Sequence, residues 1–175
     1  MNLDDAYYHL LLLESGLDDG YDDWLDGYLA AEDPLSDIVL DLALCGSDLN
    51  RTISCLWGYC GCWPEVDERL LCERLRNYLK QMYHSGKMDK RAVVDAMHRI
   101  ASAHGDPGDF DFDLWGDLYY MDDHYSLAAD GIISWEVFDR AFEAFLNDGI
   151  SVEGTVWRRA KKPSVLDRIK GIFQH

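Results

Sequence analysis

Three aspartate-rich stretches and one run of cysteines carry the residue types that hold metal ions. The most suggestive is "SLAADGIISWEVF", residues 126–138, with the Asp-Gly and following aliphatic residue of a calcium loop. An EF-hand needs oxygen ligands at loop positions 1, 3, 5 and 9 and a two-oxygen acid at 12, with glycine at 6. With Gly131 at position 6, Asp130 falls at 5, but positions 1, 3 and 12 are Ser126, Ala128 and Val137. Glu136 stands one residue short, about 100° round the helix from the ligand direction. In "DPGDFDFDLWGD", placing Asp109 first puts Leu114 at position 6 and Tyr120 at 12; in Asp22-x-Trp24-x-Asp26-Gly27, Trp24 takes position 3. None of the three reads as a calcium site.

Zinc would require four thiolate or imidazole ligands. Cys55, Cys60, Cys62 and Cys72, with His84 beyond, lack paired CxxC knuckles, and Cys72 falls near the apolar face of a helix. Free thiols packed as small apolar side chains are the expectation. Covalent and acid–base catalysis find no foothold either. There is no Gly-x-Ser-x-Gly, His-Glu-x-x-His or phosphate-cradling glycine loop, and the six histidines are scattered. The chain is expected to be no enzyme, with no catalytic residue, metal or cofactor.

The carboxylates themselves are the remaining lead. Residues 1–50 hold thirteen acids and no Lys or Arg, and residues 106–150 hold twelve acids against Arg140 alone. Residues 51–105 (six acids, nine bases) and 151–175 (two acids, six bases) are mildly basic, within a net charge of −17. Such a surface repels nucleic acid and anionic membranes and steers a basic protein toward it. Asp18, Asp22 and Asp26 fall at i, i+4 and i+8, about 6 Å apart on a helix and close to phosphate spacing. Asp19 and Asp23 lie alongside, with Trp24 among them. Asp109, Asp111, Asp113, Asp117, Asp122 and Asp123 form a second group. Acids interleaved with aromatics suit capture of the basic cleft of a nucleic-acid enzyme, so these twelve residues are the expected partner-binding set.

The elements that must carry them read as helices. Residues 4–14, 17–31 and 65–84 show apolar spacing of helical period, as does 89–104. Pro34, with Asp33 as cap, is expected to open a helix at "PLSDIVLDLALCG", and Ser47 or Asp48 to cap "LNRTISCLWGYC". Glu65–Arg69 is an expected i,i+4 pair. "GKMDKRAVV" and "GIISWEVF" share one device: a glycine stop, a cap (Asp89, Ser134) and an apolar staple (Met88–Val93, Ile133–Phe138). They make hairpins of 65–84 with 89–104 and of 112–129 with 134–148, matched at an offset of 45 residues.

The expected fold is all-α: a compact bundle of six to eight helices in stacked antiparallel hairpins. Residues 1–150 would form one acidic domain with a loop or hinge at 104–111. Residues 151–175 would form a basic tail, with a short amphipathic helix from Ser164 docking on the acidic face. At 175 residues, 48% of them apolar, the chain can bury a core without a metal or disulfide. "MNLDDAYYHLLLLESG" lacks the basic start of a signal peptide, and no apolar run spans a membrane, so a cytoplasmic protein with reduced thiols is expected.

"PLSDIVLDLALCGSDLN", followed by "YSLAADGIISWEVFDRAFEAFLNDG", gives residues 34–150 a general resemblance to small acidic bacterial immunity proteins. The resemblance implies a stoichiometric inhibitor that blocks the active site or an exosite of one toxin domain, and it assigns no site residue. The alternative is a mobile-element inhibitor, anti-CRISPR or antirestriction, that imitates DNA.

Overall fold

The computed structural model describes residues 1–62, 64–105 and 112–148, and within them the chain forms eight helices and no strand. They are α1 (Leu3–Glu14), α2 (Tyr21–Ala31), α3 (Asp37–Ala43), α4 (Leu49–Cys60), α5 (Glu68–His84), α6 (Lys90–His104), α7 (Phe112–Ala129) and α8 (Trp135–Asp148). The all-α expectation holds. Among the described residues no helix is long and apolar enough to cross a membrane. Residues 106–111 of the expected hinge, and the tail at 151–175 with its helix, lie outside the described residues.

The bundle is organised round α1. Every residue from Ala6 to Leu13 is buried, and a helix covered on all sides must have neighbours on all sides. It packs on α4, α5 and α6, and Tyr8 and His9 reach toward α2. Its polar groups find distant partners. The Tyr8 hydroxyl donates to Asp19 at 2.6 Å, and Trp57 Nε1 of α4 donates to Glu14 at 3.0 Å. The Asp67 N–H donates to Asp4 at 2.9 Å. Arg74 of α5 pairs with Asp5 and lies 4.0 Å over the Tyr8 ring.

A second tie runs through aromatic rings. The Tyr7 hydroxyl and His104 Nδ1 share a hydrogen bond of 2.9 Å. His104 stacks on Trp115 with centroids 3.9 Å apart, and Trp115 Nε1 donates to Glu68 at 3.2 Å. With Tyr7 and Trp115 fully buried, this chain joins α1, α5, α6 and α7 through partners that desolvation makes expensive to separate.

The two expected hairpins form, and their corners match. Gly86 and Gly131 both sit at φ +72°, a left-handed conformation that costs other residues about 1–2 kcal/mol. Six residues apart, the Met88 N–H donates to Met82 O at 3.1 Å and the Ile133 N–H to Leu127 O at 3.3 Å. Asp89 then accepts from the Ala92 N–H at 2.8 Å, and the Ser134 hydroxyl from the Val137 N–H at 3.3 Å. Met88 and Ile133 are half-buried and pack against the core that holds the fully buried Val93 and Phe138. The hairpins meet through α6 with α7 and α5 with α8, where Tyr83 meets Phe142 edge-on at 5.2 Å.

Three helix starts differ from expectation. Gly20, at φ +72°, is the N-cap of α2, and Asp18 accepts from the Tyr21 N–H at 2.9 Å, so the helix opens at Tyr21 and excludes Asp18 and Asp19. Such a local carboxylate bond competes directly with continued helix. Pro34 does not open α3; Ser36 caps it, held by Glu32, which accepts from the Ser36 N–H at 3.1 Å and hydroxyl at 2.7 Å. Asp67 caps α5 and accepts from the Leu70 N–H at 3.0 Å, leaving Glu65 outside the helix without the expected Arg69 pair.

Replacing Gly131 with alanine is expected to lower the unfolding free energy by about 1–2 kcal/mol, and Asp89→Ala by about 1 kcal/mol. Both are readable as shifts in the urea midpoint.

Candidate protein-binding surface

The acids at and before the start of α2 divide into two kinds. Asp18 and Asp19 are engaged, with the Tyr21 N–H and the Tyr8 hydroxyl. Asp22, Asp23 and Asp26 are exposed and make no ion pair among the described residues. The expected row Asp18–Asp22–Asp26 therefore loses its first member from the helix.

Trp24 turns inward. Its ring lies 4.5 Å from His9 and 5.5 Å from Tyr28, and its Nε1 is buried without a hydrogen-bond partner among the described residues. It is a core element of the α1–α2 contact, not an outward anchor.

The second acidic group is carried elsewhere: α2 packs on α3, whereas α7 packs on α5, α6 and α8. Asp109 and Asp111 lie outside the described residues, as does the side chain of Asp113. Asp117 is half-buried, and Asp122 lies 3.6 Å from His98 Nδ1 and accepts from the Asp123 N–H at 2.9 Å. Asp123 is exposed and, with Tyr120, His124, Ser126, Leu127 and Asp130, lines a groove of about 260 Å³ on α7. Burial holds His124 below the usual imidazole range, against the pull of Asp117 and Asp123.

The feature that sequence reading passed over is α3. Asp37, Leu40, Asp41 and Leu44 fall at i, i+3, i+4 and i+7 and share one outward face. Leu40 is 42% exposed and Leu44 68%. Leu49, 48% exposed, follows just past Asp48, which caps α4. Val39 and Leu42 take the core side. A seven-residue helix with apolar residues on two faces can satisfy only one of them within its own fold, and that was the signal available in "SDIVLDLAL". From residue 1 to 60 the chain holds thirteen acids and, of Lys and Arg, only the exposed Arg51. Asp22, Asp23, Asp26, Asp33, Asp37, Asp41 and Asp48 make no ion pair among the described residues.

No group of three or more His, Cys, Asp or Glu among the described residues is arranged to hold a metal ion. No known family model, curated protein or solved structure matches the chain.

Two measurements check these assignments. His9 is 3% exposed with Nδ1 unbonded among the described residues. Burial, and next the Arg74 guanidinium, press its pKa down to about 4, against the opposing pull of Asp19, Asp5 and Asp18. A base whose folded pKa lies below its unfolded value near 6.5 makes the unfolded chain the better proton binder between the two. Stability from this group is therefore complete above pH about 6.5 and falls until pH about 4, by at most about 3 kcal/mol. Denaturant midpoints across that range should fall for the wild type and flatten in His9→Phe. Millimolar calcium or excess chelator should leave the melting temperature unchanged.

Proposed function

We propose that the chain is a non-catalytic, protein-binding inhibitor of the immunity type, and that it engages a basic toxin or nuclease through the corner built by α2, α3 and the start of α4. The observation that carries this reading is the α3 stripe, in which two exposed leucines alternate with two aspartates that make no ion pair among the described residues. Each ingredient has its own physical task. Unneutralised carboxylates raise the rate of encounter with a cationic surface, an effect that salt removes within a Debye length of about 8–10 Å. Apolar side chains that become desolvated at the centre of a contact slow dissociation instead. Leu40, Leu44 and Leu49 stand inside the acidic surface, the arrangement of apolar centre and charged rim found in specific interfaces. The DNA-mimic reading draws on carboxylates at phosphate-like intervals, and of the row that suggested it only Asp22 and Asp26 stand on a helix.

The test is calorimetry of the full chain with the product of the neighbouring reading frame, where the toxin of an immunity protein is encoded. A one-to-one complex is expected. Leu44→Asp should weaken it at least about tenfold. The triple change of Asp22, Asp23 and Asp26 to Asn should instead slow association several-fold and flatten its salt dependence. Binding that ignores both variants would remove the α2–α4 corner as the contact surface.

A further inference from the structure

Two thiols meet just beneath the α3 stripe. Cys45 follows the C-terminus of α3, Cys55 lies midway along α4, and their Sγ atoms are 3.6 Å apart. Both are free thiols, as are Cys60 and Cys62. The approach is not left to a loose side chain. The Cys45 N–H donates to Leu42 O at 3.0 Å, and its carbonyl accepts from the Asp48 N–H at 3.1 Å. Gly46, at φ +55°, turns the chain between them. The Cys45 Sγ donates to Asp41 O at 3.2 Å, which leaves its lone pairs to accept from the Cys55 thiol. Backbone and sulfur are thus held in place on the α3 side, and a regular helix holds the partner.

We propose that Cys45 and Cys55 are a dithiol that closes to an intramolecular disulfide in the presence of a low-molecular-weight disulfide such as oxidised glutathione. Closing the gap from 3.6 Å to a bond of about 2.0 Å needs rotation of the two side chains and release of the Asp41 hydrogen bond. Cys55 is the half-buried member and Cys45 the buried one, so Cys55 meets the oxidant. Its thiolate attacks one glutathione sulfur and expels glutathione thiolate, forming a mixed disulfide. The Cys45 thiolate then attacks the Cys55 sulfur, forms the Cys45–Cys55 bond and expels the second glutathione. Two thiol protons and two electrons leave the protein, and one glutathione disulfide becomes two glutathiones.

Burial, and next the hydrogen bond to Cys45, push the Cys55 thiol upward from its usual range. The first attack is therefore slow near neutrality and quickens as pH rises. Cys62 is exposed, and among the described residues the thiol–thiol contact is the one between Cys45 and Cys55. The product would pin the last turn of α3 to α4 and fix the direction of Leu40 and Leu44. That consequence rests on the stripe being the contact surface; the chemistry does not.

The experiment is equilibration of the full chain with reduced and oxidised glutathione, followed by alkylation, intact-mass measurement and peptide mapping. The expected result is loss of two hydrogens, a cross-linked pair of peptides holding Cys45 and Cys55, and reversal by dithiothreitol, with formation accelerating at higher pH. Cys45→Ser should instead accumulate glutathione on Cys55, since the resolving thiol is gone. The wild-type measurement needs no variant to fold. Cys45 and Cys55 that both remain open to alkylation while Cys62 carries glutathione would overturn the proposal, as would a bond from Cys55 to Cys60 or Cys62. Binding assays on the oxidised form then bear only on the contact surface.

Discussion

Everything in this bundle depends on the burial of α1. A helix whose residues from Ala6 to Leu13 are all removed from water has no solvent face to tolerate error, so each neighbour must fit it. Leucines can do so by shape alone. Tyr7, Tyr8 and His9 cannot, because a buried polar atom without a partner costs about 1–3 kcal/mol. The fold answers for Tyr7 with His104 and for Tyr8 with Asp19. For His9 Nδ1 it offers no partner among the described residues, and that one unmet demand turns the helix into a place where acid acts on the structure.

How much of this could be read in the sequence depended on whether a residue's partner was near it. The α5–α6 and α7–α8 hairpins were legible because their signals are local: a left-handed glycine, a cap three residues beyond, and a staple across the first turn. The start of α3 was not, because Pro34 and Ser36 both signal a first turn, and Glu32 decides between them by holding Ser36. The role of α1 was half legible. "YYHLLLL" reads as helix, but its tyrosines look amphipathic until one knows that the Tyr7 hydroxyl has a partner 97 residues away.

The acidic surface shows the same division. That residues 1–50 lack any Lys or Arg is plain in the sequence. Which acids remain available is not, since Asp18 and Asp19 differ from Asp22 and Asp23 only in standing on the wrong side of Gly20. Trp24 was drawn into the expected site by its acidic neighbours, whereas helical geometry aims it at His9. Leu40 and Leu44 were overlooked for the opposite reason: within an apolar run, a leucine facing water looks like any other.

Charge without counter-charge has one further consequence. Carboxylates crowded on α2 and α3 repel one another in the isolated protein, and a cationic partner that settles among them relieves that repulsion as it binds. Under the proposed function recognition and conformational stability are then linked, and a complex would unfold at higher temperature than its free acidic component. Ionic strength acts on the two processes with opposite sign, since screening calms the isolated molecule and blunts its attraction to a partner. A cell's salt would set how firmly this protein holds its own shape and how fast it finds something else to hold.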